Sequence, residues 1–217
     1  MKIRTITTGI NLAYPIDFQK LQRFAKFSRR AKAIFEDTGY EVQTIRISTQ
    51  PWPEYLGKLS KKKIITMVKL IESFCKDNGV DFLNIGTISS IPHLNLVPEI
   101  IADTSLISCS ATIATMKKGI NFEIIPGTAM VVLKISKTTP AGTGNFRFAA
   151  IANCPPNIPF FPASYHCGPS VFTIGLEAGD LLMKTFSHTR NLFSASRKLK
   201  RVLTHHYRRI EEIGKKI

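Results

Sequence analysis

Of the five histidines in the chain, His166 lies in a segment whose residue types suit the wall of a binding pocket. Residues 142–169 read GTGNFRFAAIANCPPNIPFFPASYHCGP, with four prolines between positions 155 and 162. Proline fixes φ and prevents helix formation, so this segment is predicted to be rigid and irregular. Because long ordered loops inside compact domains are usually functional, we interpret the segment as a pocket wall. An ordinary buried connection is the alternative.

The imidazole of His166 titrates near neutral pH, which is what a general acid or base requires. Glu177 and Asp180 follow on what the sequence predicts as a helix from Ser170 to Phe186, and Glu177 is expected to orient the ring. If the protein is catalytic, proton transfer by His166 on a carboxylate or phosphate substrate is the expected class. A histidine with only structural hydrogen bonds is the alternative, and the sequence leaves open whether the protein is an enzyme.

Arg4 and Arg46 occupy similar places in the first two predicted strands. A guanidinium inside an otherwise apolar strand needs carboxylates, carbonyls or an anionic ligand as partners. Two at equivalent positions make an anion clamp, and Asn153 and Tyr165 are expected to complete the ligand site. The alternative is internal pairing with a carboxylate, namely Glu41, Glu177 or Asp180.

Polar clusters at residues 45–51, 86–90 and 145–153 follow the predicted ends of strands. In parallel α/β folds, ligands bind beyond the C-terminal ends of the strands, so a strand-end pocket is expected. No phosphate-binding loop, dinucleotide fingerprint or Ser-His-Asp spacing accompanies these clusters. The sequence therefore indicates a small anionic ligand without identifying it.

The elements that must position these residues alternate between strand and helix. Hydrophobic periodicity predicts strands at 2–10, 40–48, 80–85 and 106–111, and helices after Asp17, after Ser60, and at 98–103, 170–186 and 193–213. Residues 128–136 fit helix or strand equally well. This order is typical of an α/β fold, with a mostly parallel sheet and flanking helices. No linker or repeat divides residues 1–217, so a single domain is expected.

The chain has a net charge of +15, and residues 184–217 contain ten Lys or Arg against two Glu. Such a basic C-terminal helix, at 190–217, attracts nucleic acid or a negatively charged membrane, or is simply a solvated face. Because no nucleic-acid-binding motif accompanies the charge, we favour the solvated face and expect neither nucleic acid nor a membrane as partner.

The four cysteines form no Cys-x-x-Cys pair, which argues against a zinc ribbon or a thioredoxin motif. Cys154 and Cys167 flank the prolines without metal-ligand spacing, so no metal and no cofactor are expected. No apolar run is long enough to cross a bilayer, and the N-terminus is too polar for a signal peptide. These features favour a cytoplasmic protein.

Three stretches, MKIRTIT at the start, QTIRISTQPWPE at 43–54 and GNFRFAAIANCPPNIPFFPASYH at 144–166, resemble the uncharacterised DUF711 family, also called UPF0210. The resemblance implies a fold similar to pyruvate formate-lyase-like glycyl radical enzymes, a barrel of two half-barrel sheets with helices outside. Family members are longer, and this chain resembles their N-terminal half. An open half-barrel would expose strand edges and an apolar face, which implies a homo-oligomer or a complementary chain.

Three functions follow from these observations. The first is binding of a small anionic metabolite in a pocket formed by Arg4, Arg46, Asn153, Tyr165 and His166. The second is a non-catalytic half-barrel subunit that assembles with a partner chain, and the third is nucleic-acid binding through the basic helix. Convergence of the arginines and His166 on one cavity would favour the first function. Internal pairing of these side chains, with apolar surface exposed, would favour the second.

Overall fold

The computed structural model describes residues 1–187, 189 and 191–217. Strands and helices alternate along the first two thirds of the chain. In chain order the elements are β1 (Lys2–Ile10), α1 (Phe18–Asp37), β2 (Val42–Thr49), α2 (Pro53–Leu56), α3 (Lys61–Asp77), β3 (Phe82–Ile88), α4 (Ile91–Leu94), α5 (Val97–Asp103), β4 (Ile107–Thr115), β5 (Gly119–Ile120), α6 (Ile124–Thr138), a 3₁₀ segment (Pro140–Arg147), β6 (Phe148–Ala152), β7 (Val171–Glu177), α7 (Gly179–Ser187) and α8 (Leu192–Gly214).

The strands of the described residues form one mixed, mostly parallel sheet in the order β5-β4-β3-β2-β1-β7, with β6 also paired to β4. Strands β1, β2, β3, β4 and β6 are parallel, whereas β7 runs antiparallel to β1 and β5 antiparallel to β4. The predicted α/β class with a mostly parallel sheet is therefore confirmed. Strands and helices alternate because the chain must return to the same end of the sheet before each parallel strand, and a helix makes this crossover.

Strand β5 lies beyond the point where β3 ends. The carbonyl of Ala114 accepts a hydrogen bond from Asn153, next to β6, whereas the carbonyl of Ile113 accepts one from Asn121, next to β5. Because successive carbonyls point to opposite edges of a strand, β5 and β6 flank β4 on opposite sides. Strand β5 thus pairs with the end of β4 that extends past β3, on the same edge of β4 as β3.

The two faces of the sheet differ in chemistry because strand side chains alternate. One face carries Ile47, Leu83 and Ile107, which pack with α1, α3, α5 and α6 in the main hydrophobic core. The opposite face carries hydroxyl and amide side chains at the intervening positions, namely Thr5, Thr7, Ser48, Asn84, Ser108 and Ser110. These polar residues are also buried, so they need hydrogen-bond partners inside the protein.

Local signals located most helices correctly. Asp17 accepts a hydrogen bond from the backbone of Lys20 and begins α1, as its position predicts. Ser60 occupies the N-cap of α3 without a side-chain capping bond. Residues 128–136, which fitted both periods, lie in helix α6, whose buried residues recur at helical spacing from Ile124 to Ile135.

The helix predicted for residues 170–186 is wrong. Residues Val171–Glu177 form β7, and only Gly179–Ser187 are helical. Strand β7 pairs along nearly the full length of β1, from Lys2 opposite Glu177 to Gly9 opposite Val171. The apolar residues at 171, 174 and 181 match helical spacing, but the open edge of β1 supplies backbone partners that favour a strand.

The C-terminal helix was predicted to span residues 193–213, and α8 spans Leu192–Gly214. Residue 190, where the predicted basic stretch begins, lies outside the described residues. Within the described part of the chain, every helix is too short or too polar to cross a membrane.

A buried carboxylate holds the start of β4. The side chain of Glu72 on α3 is only 5% exposed, and its Oε1 atom accepts backbone hydrogen bonds from Ser105 at 2.6 Å and Leu106 at 2.5 Å. These two residues directly precede β4. Because a charged acceptor satisfies two N–H groups at once, this contact couples α3 to the strand that supports the pocket described below.

We expect Glu72→Ala to lower the free energy of unfolding by roughly 2–4 kcal/mol, because it leaves these N–H groups without an acceptor. Urea unfolding followed by circular dichroism measures this change. Glu72→Gln retains one acceptor oxygen and should keep most of the stability. Equal losses in the two variants would contradict this role for the carboxylate.

Candidate functional site

Residues 153–168, here called the proline-rich segment, cover the polar face of the sheet. The hydroxyl of Ser164 donates to Ser48 at 3.0 Å, and the Asn84 amide donates to the carbonyl of Pro162 at 2.9 Å. Thr7 donates to the carbonyl of Pro159 at 3.4 Å. The segment thus supplies partners to polar groups that the sheet would otherwise bury unsatisfied.

His166 anchors the end of this segment. Its ring is 1% exposed, its Nδ1 lies 2.8 Å from Oδ1 of Asn157, and its Nε2 lies 3.0 Å from the carbonyl of Gly168. Its backbone N–H donates to the carbonyl of Thr49 at 2.9 Å. The ring also packs on Gly9, where a Cβ atom would lie 2.4 Å from Nδ1. Both ring nitrogens therefore face acceptor atoms inside the protein, and the neutral ring, which has a single N–H, donates to only one of them.

Burial lowers the pKa of His166 below its ordinary value, and the positive charge of Lys20 adds to this effect. The hydrogen bond with the carbonyl of Gly168 acts in the opposite direction. The folded protein therefore favours the neutral ring. To act in proton transfer, the ring would have to leave Asn157 and Gly168.

The structure does not bring Glu177 to His166. Glu177 ends β7 opposite Lys2, whereas His166 lies against Gly9, seven residues further along β1 and about 23 Å away by strand geometry. The carboxylate of Glu177 instead accepts hydrogen bonds from Arg4 and Gln43. The expectation that Glu177 orients His166 rested on a helix where the chain forms a strand.

The two arginines have different surroundings. Arg4 is exposed and pairs with Glu177 at 3.3 Å, which is the internal pairing that the sequence offered as an alternative. Arg46 is half-buried between the rings of Phe82 and Phe161, with its Cζ atom 5.3 and 5.2 Å from their centroids. Burial, followed by the charge of Arg4, lowers the pKa of Arg46. The two guanidinium groups are neighbours, but neither lines the pocket described below.

Asn153 and Tyr165 lie at the two ends of the proline-rich segment. Asn153 follows β6 with a φ of 51°, a left-handed conformation that asparagine tolerates better than most residues. The hydroxyl of Tyr165 donates to the carbonyl of Cys154 at 3.0 Å, and burial raises its pKa. These bonds stabilise the segment, and the side chains do not converge with Arg46 on a cavity.

A pocket of about 920 Å³ lies instead at the C-terminal ends of the parallel strands. It occupies the space between the end of β3 and the β4–β5 hairpin, so the early termination of β3 creates it. Its walls come from the ends of β2, β3 and β4, the hairpin, and the loop before α6. The lining residues are Pro51, Pro53, Glu54, Thr87, Ser89, Ser90, Thr112, Ala114, Thr115, Lys117, Lys118, Gly119, Ile120, Asn121, Phe122 and Glu123.

Sequence reasoning identified part of this lining. The polar clusters at 45–51 and 86–90 supply Pro51, Thr87, Ser89 and Ser90. The stretch from 112 to 123 was missed, although its signal was present, since Lys117-Lys118-Gly119 after a predicted strand is a basic turn.

The chemistry of the pocket is mixed. Lys117 and Lys118 form no ion pair among the described residues, and Thr87 and Thr112 share a 2.8 Å hydrogen bond on the wall. Ile120 and Phe122 are 58% and 76% exposed, which leaves an apolar wall open to solvent. Within the described residues, no three His, Cys, Asp or Glu side chains are grouped so as to hold a metal ion.

The hydroxyl of Ser90, on the pocket wall, lies 2.7 Å from Nδ1 of His93, three residues later in the chain. The His93 ring also makes an edge contact with Trp52, with ring centroids 5.0 Å apart. No carboxylate orients His93 in the part of the chain described. Because a nucleophilic serine requires an oriented base, we interpret this pair as a local contact of the pocket wall.

Comparison with known proteins identifies the family of this chain and shows how much of each relative aligns with it. A family model described as "Uncharacterised ACR (DUF711)" matches residues 1–217. A UPF0210 protein of Methanosarcina mazei is 28% identical in an alignment 190 positions long, which covers 76% of this chain and 41% of that relative. A UPF0210 protein of Oenococcus oeni is 26% identical in an alignment 213 positions long, which covers 87% of this chain and 47% of that relative. The chain thus spans less than half the length of these curated relatives.

The lowered pKa of His166 predicts a pH dependence of stability. As the pH falls below the ordinary value of 6.5, the unfolded chain takes up a proton at this position before the folded protein does. Stability is therefore complete above this value and decreases as the pH falls through it. We expect a smaller loss of Tm between about pH 8 and about pH 5 in His166→Gln than in the wild type.

Differential scanning fluorimetry at the two pH values measures this difference. His205→Gln, which replaces an exposed histidine on α8, is the matched control and should show the full wild-type decrease. If Tm decreases equally in His166→Gln and in the wild type, protonation of this ring is not linked to unfolding.

Proposed function

The chain belongs to the DUF711 family of uncharacterised proteins, and we propose that it binds a small anionic ligand in the strand-end pocket, which a complementary polypeptide closes. The observation that carries the proposal is the position of the pocket. It lies beyond the C-terminal ends of β2, β3 and β4, where parallel α/β folds bind their ligands. Its volume of about 920 Å³ suits a small metabolite.

The lining supports a singly charged ligand with an apolar body. Lys117 and Lys118 supply positive charge, and the hydroxyls of Thr87 and Ser90 supply directional hydrogen bonds. Ile120, Phe122 and the two prolines offer an apolar surface. Glu54 and Glu123 also face the pocket, and their charge disfavours a ligand with several negative groups. A monocarboxylate with a hydrocarbon portion fits this arrangement.

The other predicted ligand residues lie outside this pocket. Among them, Arg46 is the best candidate for binding an anion. Of its three guanidinium nitrogens, only Nε donates a hydrogen bond to another described residue, Thr44. In the proposed assembly its free nitrogens form a second anion contact on the polar face of the sheet. Arg4, Asn153, Tyr165 and His166 hold the fold around it through the bonds described above.

The complementary polypeptide is supported by surface chemistry at one edge of the sheet. Strand β6, with the sequence FAAIA, pairs only with β4 in the described part of the chain, so its other edge is open. Phe146, two residues before β6, is 85% exposed, and Met130 and Leu133 are 50% and 51% exposed on α6, where the carbonyl of Val132 accepts a hydrogen bond from Asn145. An open, uncharged edge strand beside apolar side chains is typical of a surface that another chain covers.

The greater length of the relatives is the basis on which we propose a polypeptide that covers this surface. More than half the length of each of these relatives lies outside the part that aligns with this chain. We infer that a polypeptide equivalent to the unaligned part packs on the β6 edge and over Ile120 and Phe122. In this arrangement the chain is half of a barrel of the pyruvate formate-lyase type, as the resemblance implies.

The ligand proposal predicts a loss of affinity in the Lys117→Ala/Lys118→Ala variant. Isothermal titration calorimetry with benzoate should show at least about tenfold weaker binding, because the charges that attract the anion are gone. Lys62→Ala/Lys63→Ala removes two exposed lysines of α3 and should leave the affinity unchanged. Equal affinity in both double variants would refute the assignment.

The assembly proposal predicts a second polypeptide in native mass spectrometry of the protein purified from its own cells. Leu133→Glu should abolish this complex, because it places a charge in the apolar contact. Leu70→Glu is the matched control, since Leu70 on α3 is 49% exposed and lies away from β6. A wild-type chain that is always alone, or paired only with its own copies, would contradict the proposed partner.

A further inference from the structure

The outward side of α8 carries a dense group of basic side chains. A shallow groove of about 850 Å³ along this helix, here called the basic groove, is lined only by residues of α8. Its lining is Arg197, Lys200, Arg201, Thr204, His205, Arg208, Arg209 and Glu212. Five cations therefore share one surface with a single carboxylate.

These cations are largely free of internal partners. Lys200, Arg201 and Arg208 form no ion pair with any described residue, whereas the ion pair on α8 joins Lys215 to Glu211, outside the groove. Arg197 stacks on Phe193, and Arg209 donates to the carbonyl of Thr38. Ordinary solvated helices intersperse acids among their bases, so this surface is unusually one-sided.

The apolar side of α8 is docked on the sheet. Ile210 is 6% exposed and packs with Ile3 and Ile6 of β1, and Phe172 of β7 packs against the same cluster. Tyr40 further contacts His206. Because Ile210 is buried against the sheet, this part of the apolar side cannot insert into a membrane, as interfacial helices do. At the N-terminal end of the helix, Leu192 and Phe193 are 80% and 73% exposed. The charged side is fixed towards solvent.

The spacing of the cations suits a row of phosphates. Arg197 and Arg208 are eleven residues apart, so the groove is about 17 Å long. Its cations lie at position 197, at 200 and 201, and at 208 and 209, so these three groups are separated by about 5 Å and then about 10 Å along the helix axis. Duplex DNA carries one negative charge per about 1.7 Å of its axis, so several phosphates lie within this length. The lining offers lysine and arginine, which bind phosphates without reading bases.

We propose that the basic groove of α8 binds the phosphate backbone of nucleic acid without sequence preference. The sequence alone favoured a solvated face, because no nucleic-acid-binding motif accompanied the charge. The structure adds that the cations share one outward surface and lack acidic partners. This surface is separate from the strand-end pocket, so binding there is independent of the function proposed for the pocket.

Fluorescence anisotropy with a fluorescein-labelled oligothymidylate of about 20 nucleotides, and with a duplex of similar length, tests the proposal on the full chain. The wild type should bind both at about 50 mM salt and lose affinity steeply at about 200 mM. In Lys200→Gln/Arg201→Gln/Arg208→Gln, affinity should fall at least about tenfold, and the slope of log K against log salt should decrease by roughly two to three.

Two further variants keep the test specific. Lys62→Gln/Lys63→Gln/Lys134→Gln removes the same charge from α3 and α6 and should change affinity less than about twofold, because its lysines lie outside the groove. Glu212→Gln removes the carboxylate of the groove and should tighten binding. Equal weakening by the two triple variants, no binding by the wild type at low salt, or binding to phosphatidylserine vesicles instead of nucleic acid would overturn the proposal.

Discussion

The need to satisfy buried polar groups on one face of the sheet governs the rest of this structure. Strands β1 to β4 alternate large aliphatic residues with serine, threonine and asparagine, and both sets are buried. The aliphatic set obtains its burial from helices, whereas the polar set must obtain hydrogen bonds from protein groups. The proline-rich segment provides them at Thr7, Ser48 and Asn84. Its prolines suit this role, because they keep the segment irregular and its carbonyls free to accept.

This constraint also decides what His166 can do. The ring faces Asn157 and Gly168 within the segment, the backbone N–H of His166 closes the segment onto Thr49 of β2, and Gly9 of β1 leaves room for the ring. A buried side chain whose two ring nitrogens face internal acceptors is poorly placed to exchange protons with a substrate. The pocket therefore forms where the segment does not reach, at the strand ends next to the β4–β5 hairpin.

Three surfaces of the molecule differ in their chemistry. The β6 edge is apolar and open, the pocket mixes lysines with apolar walls, and the outward side of α8 is basic. The chain spans less than half the length of its relatives, and the occupant that we propose for the apolar edge corresponds to the remaining part of those relatives. The basic side of α8 lies opposite Ile210, which is packed on the sheet.

The sequence by itself determined the α/β class, the parallel strands, most helix positions and the family. Hydrophobic periodicity, helix caps and short sequence motifs are local properties, so they can be read from neighbouring residues. Tertiary structure decided the rest. The spacing of Val171 and Ile174 predicted a helix, whereas the unpaired edge of β1 selected a strand, which carried Glu177 to Arg4 instead of His166. The pocket likewise combines Thr87 with Lys117, thirty residues apart, because β5 follows β4 past the end of β3. Contacts between distant residues depend on which edges and faces remain free once the sheet has formed, and local sequence does not encode that.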